Sequence, residues 1–135
     1  MIVTVAILGL FVITAIPQYG LIKKNVSLRT QADELVSVIR TAQSEAISSQ
    51  GGTTHGIHFE NDHYTLFGDD WSDPSYTKDY YLANNFEIIG DVVGNNITFD
   101  RLSGVLGSTQ TFYIGTPGGE VKEITIEPSG KISQL

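Results

Sequence analysis

The sequence predicts an α+β protein in which one long N-terminal helix packs on a head of antiparallel β-sheet. Three observations lead to this prediction. Residues 1–17 contain no charged side chain, residues 28–47 repeat apolar side chains at helical spacing, and residues 53–135 alternate short strand-like runs with turn residues. Because no helical pattern separates the strand-like runs, the sheets are expected to be antiparallel.

The uncharged run at the start of the chain has the composition of a membrane segment. Its 17 residues would extend over about 26 Å as a helix, slightly short of the ~30 Å bilayer core, and Leu21 and Ile22 continue the apolar character. A core helix that is apolar on every face needs a larger protein around it. A signal peptide would begin with positive charge. We therefore expect residues 1–22 to form the membrane-spanning half of the helix.

An amphipathic pattern follows over residues 23–50. Apolar or small side chains recur every three or four positions, at Leu28, Ala32, Leu35, Val36, Ile39, Ala42, Ala46 and Ile47. Arg29, Asp33, Arg40 and Glu45 lie off this stripe, and the glycines at 51 and 52 are expected to end the helix. We expect the stripe to pack on the head, chiefly through Leu28, Ala32, Leu35, Val36, Ile39 and Ala46.

Residues 51–135 are predicted to form the β head. Residues 55–60 and 63–67 are expected to form a hairpin around a turn at Asn61 and Asp62. The Gly-, Asp- and Pro-containing residues 68–80 are expected to form a loop. Further strands are predicted near 86–90, 96–100, 111–114, 121–126 and 131–133, with hairpin loops at 116–119 and 128–130.

Charge and composition exclude several functions. The net charge is −7, and residues 51–135 alone hold four basic and twelve acidic side chains. Such a head repels nucleic-acid backbones, so no nucleic-acid partner is expected. Cysteine is absent, which excludes disulfides, thiolate metal sites and a cysteine nucleophile. No Gly-x-Ser-x-Gly elbow occurs, so the chain is not expected to be an enzyme, and no catalytic residue or cofactor is predicted.

Two groups of side chains invite a metal interpretation. Asp69, Asp70, Asp73 and Asp79 offer oxygen ligands to calcium, but their spacing matches no EF-hand, and acidic loops are usually only solvated. The three histidines offer nitrogen ligands, but residues 55 and 58 face opposite sides of a strand. We expect no metal site, and we expect the histidines to be exposed hairpin residues.

Four aromatic side chains crowd one segment, at Trp71, Tyr76, Tyr80 and Tyr81. They are expected either to pack over a small satellite core or to contact a partner protein. The sequence does not choose between the two.

Four segments resemble type IV pilins and pseudopilins. Residues 6–17 (AILGLFVITAIP) resemble the N-terminal helix of these proteins, with its Ala-Ile-x-Gly stretch and Ala-Ile-Pro. Residues 32–47 (ADELVSVIRTAQSEAI) are similar to the second half of that helix in the GspH/FimT group of minor pseudopilins. Residues 97–104 (ITFDRLSG) and 124–132 (ITIEPSGKI) resemble the two C-terminal signatures of that group.

The resemblance implies a pilin-like fold and a structural role. The chain would be a minor pseudopilin or minor pilin in a type II secretion pseudopilus or type IV pilus, with other pilins as partners. Its helix, including Ala6, Gly9, Phe11 and Pro17, would lie first in the bacterial inner membrane and then in the filament core. Two other functions stay open: a DNA-uptake minor pilin, and a membrane-anchored binding domain unrelated to filaments.

The resemblance also implies residues upstream of Met1. In the family about five further residues, ending in glutamate, precede this point, and prepilin peptidase removes a basic leader before them. Lys23, Lys24 and Arg29 taken alone would place the head in the cytoplasm. An upstream basic leader would reverse that orientation. We therefore expect a single-pass protein with its head on the periplasmic or extracellular side.

Overall fold

The computed structural model of the protein describes residues 28–48, 52–83 and 85–135. The predicted membrane segment, with Ala6, Gly9, Phe11 and Pro17, lies outside these residues, as do the expected boundaries at 22/23 and 50/51. In the part of the chain that is described, no helix is both long enough and apolar enough to cross a membrane.

The described chain contains one helix, α1, over residues 28–48, and eight β-strands. The strands are β1 (His55–Phe59), β2 (His63–Asp70), β3 (Asp73–Tyr81), β4 (Glu87–Ile89), β5 (Asn96–Phe99), β6 (Gln110–Gly115), β7 (Val121–Ile126) and β8 (Ile132–Gln134). They form two four-stranded sheets with the orders β3-β2-β1-β5 and β4-β6-β7-β8. All paired strands are antiparallel, which confirms the predicted α+β fold.

Helix α1 buries the side of its surface on which the apolar stripe lies. Leu35, Ile39 and Ala42 are completely buried in the core. The assignment of Ile47 to this stripe is wrong, because 48% of its surface is exposed. Ile47 follows the buried Ala46, and one residue rotates the side chain by about 100° around a helix. That rotation places it at the rim of the packed face.

The first hairpin has the predicted register. Phe59 of β1 lies opposite Tyr64 of β2, and Ile57 lies opposite Leu66. The Glu60 amide donates to the His63 carbonyl at 2.9 Å, which closes a turn whose central residues are at positions 61 and 62. Strand β1 is buried at every position, since β2 and β5 flank it on both sides.

The loop predicted over residues 68–80 is wrong. Strand β2 continues to Asp70, and after two turn residues β3 runs from Asp73 to Tyr81. The Gly and Asp residues that suggested a loop instead form a bulge between Gly68 and Asp69, where Asp69 has a φ of 79°. Pro74 lies near the start of an end strand, where its missing amide hydrogen is tolerated.

The second sheet follows the predicted strands closely. Strands β6 and β7 form the hairpin expected around residues 116–119, where the Gly119 amide donates to the Thr116 carbonyl at 2.9 Å. The rings of Phe59 and Phe112, one from each sheet, lie 5.1 Å apart. Side chains from α1 and both sheets thus form a single apolar core among the described residues.

Candidate functional site

The face of α1 that meets the sheets holds all six residues expected there. Leu28, Ala32, Leu35, Val36, Ile39 and Ala46 are buried, together with Val38 and Ala42. Three alanines on this face have no exposed surface, so a larger side chain at any of them would have to displace its neighbours. Close packing at these alanines, as well as the burial of apolar area, therefore holds the helix on the head.

The C-terminal part of α1 is attached to two loops by hydrogen bonds. The side-chain amide of Gln43 donates to the carbonyls of Gly104, at 3.3 Å, and Gly130, at 3.1 Å. The Leu102 amide donates to the Ala46 carbonyl at 2.9 Å, which satisfies a carbonyl of the last helical turn. The segments 32–47, 97–104 and 124–132, on which the resemblance depends, thus meet at one place.

Gly130 is required at this meeting point. Its φ is +83°, and an added Cβ would lie 2.0 Å from the Gln43 side-chain nitrogen. Only glycine combines this backbone conformation with so close an approach. Sequence reasoning missed the role of Gln43, because a polar residue beside an apolar stripe gives no signal of what it contacts.

A polar cluster lies beside this end of the helix. The Tyr76 hydroxyl donates a hydrogen bond to the Glu45 carboxylate, and the Nε2 atom of His55 lies 3.9 Å from a Glu45 oxygen. Burial foremost, and then the hydrogen bond to Glu45, raises the pKa of Tyr76 above its ordinary value. His55 is 1% exposed, so the expectation of an exposed histidine is wrong. Its strand has neighbours on both sides and α1 above it.

Trp71 folds back over the opposite face of the first sheet. Its ring stacks on the His58 imidazole at 4.0 Å and meets the Phe67 ring edge-on at 5.4 Å. The two ring nitrogens of His58 lie 2.6 Å from an Asn96 oxygen and 3.0 Å from a Glu60 oxygen. His58 is therefore buried beneath Trp71, and the expectation that it is exposed is also wrong.

The remaining two aromatic residues lie at the end of β3. Tyr80 stacks on the core residue Tyr64 at 5.3 Å, and the Lys78 ammonium lies 5.1 Å from the Tyr80 ring centre. Tyr81 stacks on His63 at 5.1 Å but keeps 69% of its surface exposed. Tyr76 and Tyr80 thus face the helix side of the sheet. Trp71 covers the other side, so the four aromatic residues do not form one patch.

The described residues do not assemble a metal site. No group of three histidine, aspartate or glutamate side chains within 28–48, 52–83 and 85–135 could hold a metal ion. His55 and His58 lie on opposite faces of β1, as the alternation of a strand requires. Asp79 accepts a hydrogen bond from the Thr65 hydroxyl at 2.7 Å, and Asp70 accepts one from the Ser72 amide at 3.1 Å.

Comparison with known families identifies one match. The model of the family described as type II transport protein GspH matches residues 31–130. That range includes most of α1, every strand except β8, and the point where Gln43 contacts the two loops. No curated protein matches the sequence.

Solved structures share the fold. The type IV minor pilin FimU of Pseudomonas aeruginosa has a TM-score of 0.65 at 20% identity, over 84% of this chain and 92% of that one. The minor pseudopilin EpsH from the type 2 secretion system of Vibrio cholerae has a TM-score of 0.58 at 16% identity, over 81% of this chain and 96% of that one. At such identities the likeness concerns the arrangement of α1 and the two sheets.

Proposed function

The chain belongs to the family of the type II transport protein GspH, and from this premise we propose that it is a structural filament subunit. It would serve as a minor pseudopilin or minor pilin in a type II secretion pseudopilus or a type IV pilus. The observation that carries the proposal is the family match over residues 31–130. The similar folds of a type IV minor pilin and a type 2 secretion minor pseudopilin support it.

The subunit acts by assembly, with no catalytic residue and no cofactor. Residues 1–22 anchor it in the bacterial inner membrane, with the head on the periplasmic or extracellular side, and then pack among the helices of other pilins. In this proposal, Ala6, Gly9, Phe11 and Pro17 belong to the segment that would form the assembly helix. Because α1 and the sheets share one apolar core, the head would keep a fixed orientation relative to α1 in the filament.

Filament incorporation tests this proposal. The full chain, with an affinity tag after Leu135, is expected to co-purify with sheared filaments or pseudopili from cells that assemble them. The double variant Gly9→Ala, Pro17→Ala should still enter the membrane but incorporate less, since it removes two weak points at which the helix can lose regularity. Absence of the unmodified chain from the filament fraction would contradict the proposal.

The head is proposed to bind no nucleic acid. With four basic and twelve acidic side chains in residues 51–135, few phosphates can be neutralised. A chain beginning at Val26 should fold without the membrane segment, and its titration against labelled duplex DNA should show no binding at physiological salt. Salt-sensitive micromolar binding would instead favour a DNA-uptake pilin.

A further inference from the structure

One sheet edge among the described residues differs from the other three. The two sheets end in β3 and β5 and in β4 and β8. Strands β4, β5 and β8 have three, four and three residues, whereas β3 has nine. Short end strands offer little backbone for further pairing. Strand β3 therefore carries the long edge of the head.

The hydrogen-bond pattern identifies which backbone groups of β3 point outward. The Glu60 amide bonds to the His63 carbonyl and the Leu82 amide bonds to the Asp62 carbonyl. Since bonded and non-bonded residues alternate in antiparallel pairs, β3 bonds to β2 through Tyr76, Lys78 and Tyr80. The outward amide and carbonyl groups belong to Thr77, Asp79 and Tyr81.

Part of this edge is protected and part is open. The bulge at Gly68 and Asp69 and the presence of Pro74 disrupt the first half of β3. The stretch from Tyr76 to Tyr81 pairs regularly with β2, and all of its residues except the half-buried Tyr80 are exposed. Tyr76 and Tyr81 add exposed aromatic surface, on opposite faces, where the side chains of an added strand would lie.

Charge decides which strand could pair there. The β2–β3 hairpin carries Asp69, Asp70, Asp73 and Asp79 against the single Lys78. A second copy of this head, with its own excess of eight acidic side chains, is repelled. A basic segment is attracted and gains the free backbone groups as partners.

We propose that the edge of β3 from Tyr76 to Tyr81 is a docking site for an extended, basic segment of another protein, which adds to the first sheet as a fifth strand. This interaction goes beyond the proposed function, because it uses the head and not the assembly helix. Peptide binding tests this docking site, whereas filament incorporation tests the proposed function. A negative result for peptide binding would therefore not contradict the proposed function.

Amide hydrogen exchange tests the free edge first. In the full chain in detergent micelles, the amides of Tyr76, Lys78 and Tyr80 should exchange slowly and those of Thr77 and Asp79 rapidly. The probe is a ten-residue peptide of alternating lysine and valine, which should slow exchange at Thr77 and Asp79. Protection of these two amides without peptide would overturn the proposal, because the edge would already be covered.

Charge specificity is the second arm of the experiment. Fluorescence anisotropy of the labelled lysine peptide should show saturable binding, and the same peptide with glutamate in place of lysine should bind at least about tenfold more weakly. Asp73→Lys, a change at an exposed position, should weaken lysine-peptide binding without altering the fold. Equal binding of the two peptides would overturn the proposal.

The edge itself is tested with matched proline variants. Thr77→Pro removes one outward amide from β3, whereas Thr98→Pro makes the same change on β5, where the Phe59–Asn95 bond directs the Thr98 amide away from β1. Thr77→Pro should weaken peptide binding at least about tenfold, or ~1.4 kcal/mol, and Thr98→Pro less than about twofold. Equal loss in both variants would indicate attraction by the acidic head alone and overturn the proposal. Circular dichroism shows whether each proline variant is folded. Asp73→Lys, which leaves the backbone of β3 unchanged, tests the same site if Thr77→Pro does not fold.

Discussion

The α1–sheet interface and the β2–β3 hairpin are built on different principles. Along α1, the side chains that face the core are apolar and several are completely buried. Its hydrogen bonds to the head include those of Gln31, Asp33 and Gln43, which are not among these apolar side chains. In the hairpin, β3 exposes most of its residues and carries both charges and aromatic rings. The α1–sheet interface stabilises the fold, whereas the β2–β3 hairpin leaves much of its surface exposed to solvent.

The difference shows how one small head can serve two purposes. A buried apolar face contributes stability in proportion to its area but cannot recognise a partner, because the face is already covered. A strand paired on one side only keeps half of its backbone groups available. Mutations in the interface should therefore change global stability, and mutations in the hairpin should change it less.

Loss of a buried leucine from α1 should have the largest effect. Leu35 has no exposed surface, and Leu35→Ala should lower the free energy of unfolding by about 3 kcal/mol, since it leaves a cavity. Chemical denaturation of the full chain in detergent, followed by circular dichroism, measures this. Leu135→Ala, at an exposed position, is the matched control and should change stability by less than about 0.5 kcal/mol. Similar losses in both would show that α1 is not packed as described.

Substitution of a glycine on β1 should lower the free energy of unfolding by a somewhat smaller amount. A Cβ on Gly56 would lie 2.6 Å from the Ile97 carbonyl oxygen and 2.7 Å from the Phe67 ring. Gly56→Ala should therefore cost about 1–3 kcal/mol through overpacking. Gly107→Ala meets no atom within 4 Å and should be close to neutral by the same denaturation assay. A neutral Gly56→Ala would mean that both the Phe67 ring and the Ile97 backbone can move aside.

Removal of Trp71 should affect the hairpin more than the interface. Trp71→Ala loses two ring contacts and should cost about 1–2 kcal/mol. Hydrogen exchange should accelerate in β2 and β3 more than in α1. Tyr81→Ala removes a ring that is mostly exposed and should have less effect. Equal acceleration of exchange throughout the molecule would show that Trp71, with His58 and Phe67, packs as part of the main core.

The smallest effect concerns alkaline pH. The pKa values of Tyr64 and Tyr76 are raised, in both residues chiefly by burial. The folded protein thus keeps these protons at a pH where the unfolded chain has lost them. These two tyrosines should not change stability below about pH 10, the ordinary tyrosine pKa, and should lower it as pH rises above that value. Tyr64→Phe should flatten this decrease in pH-dependent denaturation, more than Tyr76→Phe does, because Tyr64 is the more buried. If neither variant changed the decrease of stability above about pH 10, the raised pKa values of these two tyrosines would be contradicted.

Sequence periodicity predicted the interface better than the hairpin. The stripe from Leu28 to Ala46 is visible because burial on one side of a helix imposes a spacing that the sequence must repeat. The error at Ile47 arose because periodicity does not tell where a packed face ends. The error over residues 68–80 arose because Gly, Asp and Pro also occur at bulges and in end strands. The expectation for His55 and His58 was wrong because a strand pattern does not reveal which strand lies in the middle of a sheet.

The sequence by itself determined the order of the helix and most strands, the absence of thiol chemistry, the acidic charge of the head and the family resemblance. These properties depend on residue type and local spacing. Only the tertiary structure decided that β1 is central and β3 is at an edge, that Gln43 joins two distant loops, and that Trp71 covers His58. Such contacts join residues far apart in the chain, and their energies depend on shape and distance in space, which no local pattern contains.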